Sequence, residues 1–290
     1  MNSCSVVVGL IEFLLARFAL ATVYLFPPLA RVYAKLLDLA IPRLRRTALK
    51  NLEMVGLDRP KQITDGVFES IARLLVTFSQ LPIIQQRKVH KWIRYDGFEN
   101  FKSAKDRGKG VLVATAHLGN WELSAFAHAY MFAPMNIVVR PLDNHRLDEL
   151  VETRRALSGN RIIRKKEAAR EILRALHGGE AVGILIDQNT TLDQGVFIDF
   201  FGMKACAGTA FVKFAHHTGA AVVPGFALWS ETEKRHVLRF YPEIEMTGDV
   251  TTDTQRVHTK LESVIREYPD QWLWIHRRWK TRPPGEPSLY

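Results

Sequence analysis

From residue 111 onward the apolar positions alternate between two periods. Short unbroken runs of small and β-branched residues, at 111–116, 136–140 and 181–186, alternate with stretches of helical spacing at 120–131, 147–157 and 167–176. Runs of the first kind predict buried strands, and their alternation with helices predicts a mostly parallel central sheet flanked by helices, joined by right-handed crossovers. Gly178-Gly179 ends the third of those helices. Further on, 209–218 and 252–268 read as helices and 220–228 and 236–240 as strands. Upstream, residues 43–54 predict a helix stopped at Gly56, and Pro60 starts another that runs to about Gln80, before Pro82. Residues 98–107 read as one more helix. No internal repeat or low-complexity linker interrupts the chain.

The first forty residues follow a different pattern. Residues 6–26 are apolar all round except for Glu12 and Arg17, and a helix of that length rises ~30 Å, about the thickness of a hydrocarbon layer. Pro27-Pro28 breaks it. Leu29, Val32, Tyr33, Leu36, Leu37 and Ala40 then recur at helical spacing with Arg31, Lys35 and Asp38 opposite, the pattern of an interfacial or docking helix. Met1 to Ser5 carries no basic side chain and no small-residue cleavage site follows the apolar run, so the arm is expected to be retained. The sequence therefore divides into a membrane-anchoring helical arm, 1–41, and an α/β domain, 42–290. Arg43, Arg45, Arg46 and Lys50 lie on the C-terminal side of the arm, which by the positive-inside rule places the domain in the cytoplasm. The competing expectation is that the first helices simply cap the core.

Charge narrows the partners. Forty Lys and Arg against thirty Asp and Glu give a formal net charge of +10, which suits a membrane surface, a phosphorylated substrate, an acidic carrier protein or nucleic acid. Cys4 and Cys206 have neither a metal spacing nor a disulfide framework, as in a reducing compartment.

The candidate chemistry sits where predicted strands end. His117 follows the 111–116 strand, Gly119 permits a tight approach, Asn120 is a good N-cap and Glu122 falls in the first helical turn after it. On one straight helix His117 and Glu122 would point roughly 140° apart, so they meet only if Leu118-Gly119-Asn120 bends. The strand at 136–140 ends in Arg140-Pro141 and that at 181–186 in Asp187-Gln188-Asn189, and in an open α/β sheet these ends converge on one ligand-binding edge. A histidine oriented by a carboxylate can take a proton from a hydroxyl. No G-x-S-x-G elbow, P-loop, Rossmann or H-E-x-x-H pattern accompanies it, and Cys206 has no base beside it, so the attacking oxygen belongs to a substrate and no covalent enzyme intermediate is expected. No metal site is expected either, since His128 lies off the helical face of Glu122 and His216-His217 reads as a helix end.

These residues, in their order, resemble the bacterial lipid A late (lauroyl/myristoyl) acyltransferase family, related to the membrane glycerolipid acyltransferases with an H-x-x-x-x-[D/E] motif. The resemblance covers almost the whole chain: the apolar arm, the basic helix from Arg45 to Asn51, His117-Leu-Gly-Asn-Trp-Glu122, Arg140-Pro141, Asp187-Gln188, Phe200-Phe201-Gly202, Gly219 to Pro224 and Trp274 to Lys280. It implies a glycerolipid acyltransferase-like fold at the bacterial inner membrane. It also implies transfer of a fatty acyl group from an acyl carrier protein thioester, or coenzyme A, to a hydroxyl of an anionic membrane glycolipid such as a lipid A precursor, with no cofactor. His117 is then the general base and Glu122 its orienter, Arg140 a cation for phosphate or the developing oxyanion, and Asn120, Asp187 and Gln188 substrate-side residues, the last two either shaping the acceptor pocket or tying loops together. The Gly-Asn-Trp insert resembles members outside the best-known enterobacterial branch, and Cys206 stands where relatives often have a small hydroxylated residue.

Three alternatives stand beside this reading. The same dyad could act on another phospholipid or glycolipid acceptor, or hydrolyse lipid with water. A basic nucleic-acid-binding protein would also account for the charge and for the aromatic and basic residues of 272–282, but leaves the apolar arm without a role. That C-terminal cluster of Trp272, Trp274, His276, Arg277, Arg278, Trp279, Lys280 and Arg282 suits a headgroup-facing surface as well as a tail that packs its tryptophans into the core.

Overall fold

The computed structural model describes residues 3–164 and 168–290; the start of the helix expected at 167–176 lies outside them. Four helices open the chain: α1 (Ser3–Leu25), α2 (Leu29–Ala40), α3 (Pro42–Met54) and α4 (Pro60–Gln80). Helix α1 does not stand free. Leu20 and Val23 are buried, Gln80 Nε2 donates to the Tyr24 carbonyl at 3.0 Å, and Asn144 Nδ2 donates to Gly9 O and Glu12 Oε2. One face of the arm therefore rests on the domain, while Val7, Leu10, Ile11, Leu14, Leu15, Phe18 and Leu25 remain exposed. Helix α2 packs on α4 through Ala30, Ala34 and Ala72, and the buried Asp38 is held by Arg45 of α3.

The α/β part runs β1 (Ile93–Asp96), α5 (Phe98–Asp106), β2 (Val111–Thr115), α6 (Trp121–Met131), β3 (Asn136–Val139), α7 (His145–Ala156), β4 (Arg161–Arg164), α8 (Ala168–His177) and β5 (Ala181–Leu185). A hairpin, β6 (Gly195–Phe200) and β7 (Met203–Gly208), then precedes α9 (Ala210–Thr218), β8 (Ala221–Ser230), β9 (Arg235–Phe240) and α10 (Val250–Glu267). Seven strands form one sheet in the order β1-β9-β8-β2-β5-β3-β4. Strands β8, β2, β5, β3 and β4 are parallel; β9 turns back antiparallel on the second half of β8, and β1 lies parallel to β9. The architecture is the α/β sheet with mostly parallel strands that the alternating pattern predicts. Its runs are apolar because the central strands are covered on both faces.

The strands without a sequence signal are the short edge pieces and the hairpin. Arg-Ile-Ile-Arg of β4 buries only Ile163 fully. The hairpin turn Phe201-Gly202 has positive φ at both residues, +56° and +75°, the geometry usually met by Asn-Gly. Phe201 holds it because its ring is anchored against Trp272 and Trp274, with centroids 6.4 and 5.5 Å away. The C-terminal tail threads through this region with Trp272, Trp274, Arg278 and Trp279 fully buried. Of the two readings of that cluster the core packing is the correct one. Its tryptophans complete a core with β6, β7 and α10 and do not face a headgroup layer.

Candidate active site

Strands β2 and β5 are adjacent, parallel and in register, with Thr115 opposite Leu185, so the residues two beyond each end, His117 and Asp187, arrive side by side. Asp187 is fully buried. Its Oδ1 lies 3.0 Å from His117 Nδ1, and its Oδ2 accepts from the His117 backbone N–H at 3.1 Å and from Trp272 Nε1 at 2.9 Å. With an acceptor on Nδ1 that nitrogen carries the ring proton, and Nε2 keeps its lone pair toward the cavity that His117 lines. No other described side chain hydrogen-bonds the ring. Trp121 packs edge-on against it at 5.0 Å.

The loop that carries His117 is pinned on both sides. Gly119 donates to Gln271 O, Asn120 N to Ala227 O, and Leu273 N to His117 O. Gly119 has φ +64°, and a Cβ there would fall 2.0 Å from the Ala227 carbonyl oxygen, so only glycine lets the loop lie this close to β8. The tail is itself held by Asn51 of α3, whose Nδ2 donates to the carbonyls of Trp274 and His276.

The expected pairing of His117 with Glu122 is corrected by these contacts. The Leu118-Gly119-Asn120 bend exists, but α6 carries Glu122 toward α7, where its oxygens take two hydrogen bonds from Arg155, at 2.8 and 2.5 Å. The carboxylate on the imidazole is Asp187. Asn120 is corrected as well: its Oδ1 caps α6 by accepting from Leu123 N, its Nδ2 donates to Thr77 Oγ1, and it is buried away from the cavity lining. Arg140 is 80% exposed, with Asp143 as a distant partner at 3.9 Å. It and the exposed Gln188 lie at the cavity edge, free of the His117 cluster. Two residues had no sequence signal: Arg155, which looked like any helical cation, and Trp272, whose indole role depends on a strand order that is not written in the chain.

Electrostatics follow from this geometry. Burial opposes charging the His117 ring, but the adjacent Asp187 carboxylate and, at longer range, Glu122 outweigh it, so the histidine titrates above its ordinary value. Burial likewise opposes ionised Asp187, yet His117, His276 and the Trp272 hydrogen bond hold its pKa well below the usual carboxylate range. Behind it lies Arg278, fully buried over the Phe200 ring and donating to Cys206 O at 2.7 Å. Burial pushes its pKa down to about 10, so it stays charged at neutral pH and supplies a buried cation near Asp187.

In front of His117 a cavity of about 880 Å³ extends over the strand ends, lined by α5 and α6 on one face of the sheet and by α8 and α9 on the other. Phe101, Val113, Phe126, Met135, Leu238 and Phe240 wall it, while His117, Glu122, Arg155, Arg140 and Gln188 supply its polar groups. Apolar depth with a basic nitrogen and cations is the arrangement expected for a ligand with a long hydrocarbon part and a reacting polar head. Cys206, buried with its thiol 3.6 Å from Thr191 O, does not reach the histidine. Residues 10–281 match the family model described as bacterial lipid A biosynthesis acyltransferase.

This chain belongs to that family. It is similar to the lipid A biosynthesis palmitoleoyltransferase of Escherichia coli K12, 31% identical over 277 residues that cover 91% of this chain and 89% of the relative. The lipid A biosynthesis lauroyltransferase of the same organism is 28% identical with the same coverage. A phosphatidylinositol mannoside acyltransferase of Mycolicibacterium smegmatis is 26% identical over 82% of this chain and 79% of its own length. Membership extends from α1 to the tail, so the elements that build the cavity and those that brace Asp187 fall within the matched region.

Proposed function

We propose that this protein transfers a fatty acyl group from a thioester donor, acyl carrier protein or coenzyme A, to a hydroxyl of an anionic membrane glycolipid of the lipid A type. The observation that carries the reading is the Trp272–Asp187–His117 chain opening onto the apolar cavity. The acceptor oxygen attacks the thioester carbonyl carbon as its proton passes to His117 Nε2. Asp187 stabilises the imidazolium that forms. The tetrahedral intermediate collapses with cleavage of the carbon–sulfur bond, and the departing thiolate takes the proton back, which leaves an ester and a free thiol. The cavity suits the acyl chain. Arg140 and Gln188, exposed at the same edge, are suited to the acceptor headgroup, and Arg155, steadied by Glu122, supplies positive charge where the oxyanion develops.

Relatives named for lipid A and for phosphatidylinositol mannoside both act on lipids, and α1 is long and apolar enough to enter a membrane. Because one face of α1 rests on α4 and α7, we infer that it lies in the cytoplasmic leaflet of the inner membrane with its exposed Leu and Phe side chains in lipid. The basic residues of α3 and the net charge of +10 favour an anionic surface.

The test is incubation with labelled acyl thioester and a membrane glycolipid extract. Label appearing in glycolipid is expected. Label found only as free fatty acid would make the protein a hydrolase, and label left on the donor would reject both.

A further inference from the structure

A second, smaller cavity of about 220 Å³ opens between α1, the C-terminal end of α4 and α7. Leu20, Tyr24, Pro82 and Leu150 wall it, and its charged groups are two arginines, Arg17 of α1 and Arg154 of α7. Among the described residues no acidic side chain lines it. Neither arginine forms an ion pair among the described residues, whereas Arg155, next in sequence, faces the other way into the large cavity and is held by Glu122. Arg154 donates from Nη1 to Phe78 O and Ser79 O and lies over the Phe78 ring, which fixes the guanidinium but leaves Nε and Nη2 uncommitted. Burial first, and then the charge of Arg17, make Arg154 less basic than usual. Two like charges gathered against an apolar wall repel each other, and an anion between them would offset that repulsion.

We propose that Arg17 and Arg154 form a binding pocket for the phosphate of an anionic amphiphile whose hydrocarbon part lies along α1. Guanidinium groups match phosphate oxygens in paired hydrogen bonds. The wall supplied by Leu20 and Tyr24 belongs to the helix whose outer face carries Leu14, Leu15 and Phe18. The phosphate could come from the acyl acceptor itself, reaching over α7 from the reaction cavity, or from a bystander phospholipid headgroup.

Binding is measured without turnover, so its outcome is independent of the acyl-transfer reading. The full chain in uncharged detergent is titrated with dihexanoyl phosphatidic acid, with dihexanoyl phosphatidylcholine as the uncharged-net control, and stoichiometry is read by native mass spectrometry. The expected result is saturable one-to-one binding of phosphatidic acid, competed by inorganic phosphate. It should weaken about tenfold or more in Arg17→Gln, since hydrogen bonds between charged partners are worth that much, and recover in part in Arg17→Lys. Arg17 is solvent-exposed, so the variant should melt like the parent; Arg154→Lys, which keeps the charge at the α4 end, gives a second reading of the same loss. No saturable binding, or equal affinity in Arg17→Gln, would leave Arg154 as a helix cap only and overturn the proposal. Given binding, a raised acceptor KM in Arg17→Gln assigns the phosphate to the acceptor. An unmoved KM alongside lost phosphatidic acid binding assigns it to a separate lipid.

Discussion

Asp187 meets three donors at once, the ring and backbone of His117 and the indole of Trp272, and that coordination decides how His117, the proposed base, should respond to mutation. Removing the base in His117→Ala should cost roughly 10²–10⁴ in kcat. Asp187→Asn should cost nearly as much, and it carries a second signature. Because Asp187 is what lifts the His117 pKa above the ordinary ~6.5, the base of the parent is neutral only above that raised value, and the rate falls as pH drops through it. In Asp187→Asn the acidic limb of the pH–rate profile should move to lower pH. A limb that stays in place would show that another group titrates there. Glu122→Gln should lose activity through the loosened Arg155 and shift the limb less, because Glu122 touches His117 only at a distance. A larger shift in Glu122→Gln than in Asp187→Asn would restore Glu122 as the orienter. The sequence named both carboxylates but made Glu122 the partner of His117, where the structure puts Asp187. Spacing along the chain put Glu122 nearest to His117, whereas the decisive neighbour is seventy residues away and becomes adjacent only when β2 and β5 pair.

At the scale of elements the tail is a structural part of the site. Three buried tryptophans and an arginine follow Gln271, and truncating one such tryptophan costs about 3–5 kcal/mol, against a total stability of roughly 5–15 kcal/mol for a typical domain. A chain ending at Gln271 is therefore expected not to fold, as judged by loss of a cooperative melt. A soluble, cooperatively folded product would mean that the tail only covers the core. Gly119→Ala should be milder for folding and severe for function, since the loop must leave the Ala227 carbonyl and carry His117 with it; parent-like kcat would refute the close approach. The long central elements were legible because each buries a complete face and so writes its period into the sequence. The hairpin turn was not, because Phe201 adopts a conformation that local preference disfavours and distant tryptophans stabilise.

For the whole molecule, acid is the sensitive condition. Burial lowers the pKa of His128 to about 4, His236 to about 3 and His258 to about 4, all below the ordinary ~6.5 they regain when unfolded. Between those limits the unfolded chain binds more protons than the folded one, so stability rises with pH and is lost as pH falls below about 6.5, by up to ~1.4 kcal/mol per unit for each histidine. His117, shifted the other way, offsets a part of this. A melting temperature that drops steadily from pH 7 to 5 is expected, and a flat profile would show that these rings are hydrated. The apolar arm was legible as a long apolar helix by composition. Its contact with α4 and α7 was not, since nothing in an all-round apolar run marks which side will meet protein.

The proposed reaction centre draws on residues 117, 187 and 272, and that order has a consequence for biosynthesis. Helix α1 leaves the ribosome ahead of the sheet, so this long apolar helix is available while most of the strands are still unmade. His117 then waits roughly ten to thirty seconds, at about 5–20 residues added per second, before the indole of Trp272 exists to complete the cluster around Asp187. A chain stalled before residue 272 would hold His117 and Asp187 without the indole that completes their hydrogen bonds. The cluster around Asp187 is thus closed only late in synthesis, once the tail has emerged to fold onto the sheet.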